Sequence, residues 1–363
     1  MTNFPLHKFR RLAVPIVILS VVWTSTTGAR AALLYRLTDL GQCTLTNDAA
    51  QDITEGGKVG LQQDGLAYAW SAGNLTPAAG LPNNHTIVCV NDMESIAGSH
   101  NFEAFLWNNG TKVALGSLEG GWTFCSDIND LNQVIGISYR SSINRYRGFL
   151  WQNGSMVEIG GFLPNGRSRP TAISNSGRIV GYATTATTEL PFVYDGGTIS
   201  ALPILPGYVR GEAYGLSSNG RNIAGTSRKN YFFDSEATAW IDGRMVALGR
   251  LDFSVSTALD VNDWGQVVGS VGYSNDPRAA FLWQNGVMYN LNSLLTNAPG
   301  YYIREVFSIN NFGQIVGYAY YGEQKRSVLL SPVPEPSTLG LTAAGLVLCL
   351  VCARRKQRSV ETA

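Results

Sequence analysis

The chain has 363 residues, of which 15% are charged, below the roughly 25% of an average soluble protein, and 40 are glycine. Its length allows two ordinary domains or one large all-β domain, and glycine at this level argues against long helices and for turn-rich β structure. The formal charge of +1 hides two basic ends: without residues 1–31 and 337–363, 25 acidic residues stand against 19 basic ones, and a mildly acidic body repels phosphate backbones, which sets nucleic acid aside as a partner.

Residues 1–31 read as a signal peptide. Lys8, Arg10 and Arg11 precede an apolar run from Leu12 to Trp23, and the small-residue site Ala29-Arg30-Ala31 follows, with cleavage expected before Ala32. Three cysteines, Cys43, Cys89 and Cys125, lie in the body and two more, Cys349 and Cys352, in the tail. An odd number in the body cannot all pair internally, so whether these three take part in a disulfide stays open.

From about residue 53 a single phrase recurs: an apolar strand, a turn rich in Asn, Asp and Gly, and a second strand closing on Gly. It reads Val90-Asn91-Asp92 to Gly98, Ile128-Asn129-Asp130 to Gly136, Ile173-Ser174-Asn175 to Gly181, Leu216-Ser217-Ser218 to Gly225, Val261-Asn262-Asp263 to Gly269 and Ile309-Asn310-Asn311 to Gly317. A weaker first copy runs from Ile53 to Gly60. A second phrase alternates with it, as Phe105-Leu106-Trp107, Phe149-Leu150-Trp151 and Phe281-Leu282-Trp283, each followed by Asn-Gly beginning two residues after the Trp. Asn-Gly between apolar runs is a hairpin signal, because both residues accept positive φ. Each unit thus holds four short strands in about 40 to 45 residues, the size of a propeller blade. Calcium ligation by the Asn/Asp turns is the less favoured reading, since the acidic positions change from copy to copy.

The last copy has three strands, the third around Ser327–Leu330, while Tyr35-Arg36-Leu37-Thr38-Asp39-Leu40-Gly41 resembles the missing fourth. The expectation is an all-β ring of about seven four-stranded repeats, closed by that N-terminal strand so that no sheet edge stays open; a β-solenoid is the alternative. On a propeller, the connections from second to third strand and from blade to blade share one face, opposite the tight turns. That face is expected to carry any ligand, with Tyr139, Tyr146, Arg147, Tyr231, Phe232, Tyr301 and Tyr302 as candidates, because Tyr and Arg offer flat surfaces with polar edges for sugars or protein partners.

The tail has three parts. Pro334-Glu335-Pro336 forms a stiff, extended segment, an apolar run spans Leu339 to Ala353, and Arg354, Arg355, Lys356 and Arg358 follow. The run reads as a short transmembrane helix with its basic end in the cytoplasm. At these residues the chain resembles the PEP-CTERM proteins of Gram-negative bacteria. The resemblance implies recognition by an exosortase, with Pro334, Glu335, Pro336, Arg354 and Arg355 as the sorting signal. The body resembles the HAF-type repeats that accompany such tails, although Glu103, Arg147 and Ala279 stand where that family's phrase has His.

The division expected is therefore 1–31 signal peptide, 32–331 repeat domain and 332–363 sorting tail. The chain passes through the inner membrane by its C-terminal segment and ends at the cell surface or outside the cell. With His85 and His100 the only histidines beyond the signal, neither metal clusters nor Ser/His/Asp arrangements are well supplied. No catalytic, cofactor or metal residue is expected, and the role is that of a non-enzymatic binder of extracellular polysaccharide or a surface protein. The alternative is an exported polysaccharide-acting enzyme working through paired carboxylates.

Overall fold

The computed structural model describes residues 33–45, 49–78, 81, 86–108, 110–229, 234–253, 255–272 and 278–334. The expected signal peptide at 1–31, the apolar run of the tail, Glu335, Pro336, Arg354, Arg355, Tyr231 and Phe232 lie outside them. The fold is a seven-bladed β-propeller, with seven four-stranded antiparallel sheets. Blade 1 begins with the inner strand Ala49–Ile53, blade 2 with Thr86–Val90, blade 3 with Thr123–Ile128, blade 4 with Ser168–Ile173, blade 5 with Arg210–Leu216, blade 6 with Ser256–Val261 and blade 7 with Tyr301–Ile309. Blades 1 to 6 each run outward through four strands consecutive in sequence.

Blade 7 supplies only three strands of its own, and Tyr35–Gln42 completes it by pairing antiparallel with Gln324–Pro332. Tyr35 stands opposite Pro332 and Leu37 opposite Leu330 in that ladder. Beyond its end, Val333 N donates to Leu34 O at 2.9 Å. The outer edge of the added strand is covered in turn, because Leu37 N donates to Asn297 Oδ1 at 2.9 Å and Thr296 N to Tyr35 O at 3.0 Å. The ring closure read from the sequence is thus present, and it leaves little free edge for another strand to find.

The recurring glycines have a steric cause. In every blade the inner strand carries a β-bulge at the same place, as between Cys125 and Asp127 or between Ala258 and Asp260. The bulge bends the inner strand toward its neighbour. A Cβ on Gly136 would lie 2.0 Å from Phe124 O, and one on Gly269 only 2.1 Å from Thr257 O. Blade 1 departs from the pattern: Leu61, not Gly60, stands opposite Ala50 at the position that Gly98 takes opposite Ile87. Gly60 therefore occupies the preceding position of the repeat, where blade 2 has Ala97.

The phenylalanine of the second phrase fills the space between blades: Phe105, Phe149 and Phe281 are wholly buried, as is Phe192 of a looser copy, Pro191-Phe192-Val193-Tyr194. Phe149 packs with Cys89, Ala97 and Leu106 of blade 2, and Phe192 with Ile135 and Leu150 of blade 3. Full burial of each ring contributes on the order of 2–3 kcal/mol. The hairpin turns behave as their sequence requires, with Asn285 at φ 51° and Gly286 at φ 81°, and Asp242 at 47° and Gly243 at 77°. Cys43, Cys89 and Cys125 are buried free thiols.

Candidate ligand-binding face

Two concave regions lie on opposite sides of the ring. On the tight-turn side, the turn phrases surround a central channel of about 230 Å³. Their Asn and Asp residues form a belt from blade to blade. The Nδ2 groups of Asn91, Asn129, Asn262 and Asn310 donate to Asn129 O, Ser174 O, Asn310 O and Thr54 O at 2.9–3.1 Å. The next residue of each turn accepts a backbone amide from the preceding blade: Asp92 N donates to Asp130 Oδ1 at 2.9 Å, Asp263 N to Asn311 Oδ1 at 2.8 Å, and Asn311 N to Glu55 Oε2 at 2.8 Å. These side chains therefore serve inter-blade bonding as well as hairpin geometry. Among the described residues no group of three or more His, Cys, Asp or Glu could hold a metal ion.

Deeper in the channel wall sit three carboxyls that the sequence reading did not single out: Asp52, Asp127 and Asp260, each immediately after a bulge. Each braces the next blade, accepting from Val90 N at 3.1 Å, Ile173 N at 2.8 Å and Ile309 N at 2.9 Å. Burial raises all three above the usual carboxylate range, Asp260 to about 7. Ser308 Oγ lies 3.1 Å from Asp52 Oδ1 and 3.0 Å from Asp260 Oδ2. One hydroxyl hydrogen satisfies one carboxylate, so the second contact becomes a hydrogen bond only when that carboxyl is protonated. The signal available was an Asp directly before the Ile or Val that opens the phrase in three of the copies.

On the other side, the expected loops prove to be mostly strand. The strands Val134–Arg140 and Arg145–Gln152 extend so far that only residues 141–144 turn between them. Tyr139 and Tyr146 are consequently cross-strand partners, with ring centroids 5.4 Å apart. Tyr139 OH lies 2.5 Å from Asn144 Oδ1. These two rings join a larger run: Phe102 stacks on Trp122 at 4.9 Å, Trp122 lies 6.2 Å from Tyr139, and Phe124 lies 6.1 Å from Phe102 and 6.3 Å from Tyr146. Phe102 and Trp122 are 55% and 53% exposed, so the five rings form an open shelf over blades 2 and 3. Sequence reasoning missed Phe102, Trp122 and Phe124 because they come from two separate segments, the turn before Glu103 and the entry to Thr123–Ile128, outside the repeated phrases.

Arg147 does not present its guanidinium to solvent. It is 3% exposed, its Nε lies 2.7 Å from Glu158 Oε1, and Nη1 donates to Gly166 O. Glu158 also takes Arg140 at 2.7 Å, and Arg140 Nε bonds Glu119 at 2.6 Å. Hydrogen bonds from Ser142 N and Oγ, then from Arg140, lower the Glu119 pKa to about 2. This network braces the shelf from beneath. Tyr301 and Tyr302 stand apart from it on blade 7. Tyr301 is engaged with Asp39 at 2.6 Å and with the Tyr321 ring at 4.8 Å, while Tyr302 is opposite Tyr320 and 37% exposed.

Beside the shelf, between blades 3 and 4, lies a cavity of about 390 Å³ lined by Phe124, Ile137, Tyr146, Arg167, Ser168, Arg169, Tyr182 and Glu189. The size is that of a small-molecule pocket. Tyr182 continues the aromatic run to Tyr214 at 6.5 Å.

Residues 332–356 match the PEP-CTERM protein-sorting motif. The motif marks an exported protein of Gram-negative bacteria, held in the membrane before processing and recognised by an exosortase-type system. Among solved structures, the chain is similar to an oligogalacturonate lyase in complex with manganese (11% identity, 84% of this chain and 97% of that one, TM-score 0.55). It is also similar to a chain of the mitotic checkpoint complex (10% identity, 92% and 100%, TM-score 0.50). A third likeness is to the β-propeller domain of the Trilobed protease from Pyrococcus furiosus (13% identity, 68% and 81%, TM-score 0.48). At such identities the first two likenesses speak for the fold alone. No curated protein matches the chain.

Proposed function

We propose that the protein is an exported, non-enzymatic surface or matrix component that holds extracellular polysaccharide on the aromatic shelf over blades 2 and 3. The observation that carries this reading is the contiguous set of Phe102, Trp122, Phe124, Tyr139 and Tyr146, two of them more than half exposed. Flat rings with polar edges accept the apolar faces of pyranose rings, while hydroxyl and indole N–H groups reach sugar hydroxyls. Rings fixed on strands also lose little freedom on binding. Binding without turnover is further supported by the state of the nearby acids: Glu119 and Glu158 are both committed to arginines and are poor candidates for proton transfer.

In this reading residues 1–31 direct export and are removed, the HAF-like repeats build the display scaffold, and the tail is an address. An exosortase recognises Pro334, Glu335 and Pro336 at the outer surface of the membrane while Arg354 and Arg355 remain in the cytoplasm. The protein then passes from an inner-membrane intermediate to the cell surface or the medium. The test is affinity electrophoresis of residues 32–332 through gels containing defined polysaccharides, with Trp122→Ala and Tyr139→Ala compared to the parent. Each variant is expected to lose retardation about tenfold while keeping its circular dichroism, on the order of 1.4 kcal/mol per lost ring. The opposite face exposes Met93, Leu131, Trp264 and Phe312 at its turn tips. Loss of binding in Trp264→Ala but not in Trp122→Ala would overturn the assignment.

A further inference from the structure

The shelf leads directly into the cavity between blades 3 and 4, because Phe124 and Tyr146 belong to both. Arg167 and Arg169 line that cavity, and both are exposed. They are two residues apart at the entry to the inner strand of blade 4, a spacing that directs side chains to the same side. Arg169 stands opposite Tyr182 in the ladder, so its guanidinium and that ring share one wall. Neither guanidinium has a carboxylate within ion-pair distance among the described residues, in contrast to Arg140, Arg147, Arg210, Arg228, Arg250 and Arg326, which are all paired.

The cavity's one carboxylate does not supply the missing counter-charge. Glu189 is held by Arg210 at 2.8 Å, and Arg210 is itself shared with Glu212 at 2.8 Å. Two unpaired cations therefore sit beside aromatic walls on a body whose net charge is negative. Leaving two like charges side by side costs energy in the empty protein, and an anion that enters relieves it. A guanidinium also presents a planar fork of donors, which matches a carboxylate or a sulfate with two parallel hydrogen bonds.

We infer that the chain bound at this face is an acidic glycan, with an anionic group of one sugar seated between Arg167 and Arg169 while the neighbouring sugars stack along the shelf. The inference rests on the glycan reading above and adds the charge class and the residues that select it. The shared chemistry is an anionic substituent on a pyranose, which a uronate or a sulfated sugar supplies equally.

The test uses residues 32–332 as the parent with three probes of similar backbone: polygalacturonate, a sulfated galactan and a neutral galactan. The parent is expected to bind at least one acidic polymer about tenfold or more tightly than the neutral one, and to lose that preference as salt rises to 0.5 M. The polymer preferred identifies the anion. Arg167→Gln and Arg169→Gln are each expected to weaken acidic-polymer binding about tenfold and to leave neutral-polymer binding unchanged. Arg169→Lys is expected to recover part of the loss, which separates charge from shape. Equal binding of all three polymers, unaffected by the arginine variants but lost in Trp122→Ala, would overturn the charge assignment and leave the shelf reading standing. Acidic-polymer binding that survives both the arginine variants and Trp122→Ala would overturn both.

Discussion

At the scale of single residues, the glycines of this chain fall into two kinds that respond differently to the same substitution. Gly269 lies where a Cβ would meet the backbone oxygen of Thr257 at 2.1 Å, and no side-chain adjustment can relieve contact with a ladder. Gly269→Ala is expected to destabilise the ring by about 3 kcal/mol or more in urea unfolding. Gly286 has nothing within 4 Å and needs only its positive φ, so Gly286→Ala should cost about 1 kcal/mol. The buried carboxyls give a pH prediction. Asp260 has a folded pKa near 7 because burial penalises its charged form, so its proton is held more tightly in the native state. Stability from this group is full below about pH 4, its unfolded pKa, and is lost as pH rises through 7. Asp52 and Asp127 act in the same sense. Asp39 and Glu212, which tyrosine and arginine partners hold low against their own desolvation, act in the opposite sense and only below about pH 4. Melting temperature is therefore expected to fall by several degrees between pH 5 and pH 8. Asp260→Asn should flatten that slope, and a slope unchanged in the variant would show that other groups set it.

At the scale of the strand and the turn, much was legible because the repeat states the same solution seven times. The Asn-Gly hairpins, the closing glycines and the missing last strand all follow from local chemistry that one segment carries in itself. The bulge in each inner strand was not legible. It inserts one residue without changing composition, and its trace is only the glycine that faces it. The same limit explains the ligand face. Tyr139 and Tyr146 were readable as a pair of tyrosines near a connection, yet their meeting depends on strands longer than the turn signals suggested. Phe102, Trp122, Phe124 and Tyr182 come together only through the stacking of blades 2, 3 and 4. The added strand is the element whose removal should matter most. Deleting residues 33–42 removes the Tyr35 and Leu37 side chains from their core and uncovers Gln324–Pro332 along one edge. A loss of several kcal/mol and a tendency to self-associate are expected, read by calorimetry and light scattering. A truncated protein as stable and monomeric as the parent would contradict the closure.

At the scale of the whole molecule, two belts join the ends of the ring. One is the ladder between Tyr35–Gln42 and Gln324–Pro332, and the other is the side-chain belt of the tight-turn face, which passes from Asn310 to Thr54 and from Asn311 to Glu55. Mass spectrometry of the protein from its host is expected to find a tail-bearing precursor and a shorter form ending near the sorting motif. Intact peptides through Arg354 in all surface material would show instead a permanent anchor. The position of Gln324–Pro332 between two neighbours, Tyr35–Gln42 on one side and Ile315–Tyr321 on the other, has a mechanical meaning. Whatever holds the protein by its C-terminal end, membrane or wall, pulls on this strand along its length. The load divides between two hydrogen-bond ladders and strains both in shear, where many bonds must fail together, rather than one after another as in peeling. A propeller tethered by an outermost strand would unzip from its rim; this one resists like a riveted lap joint.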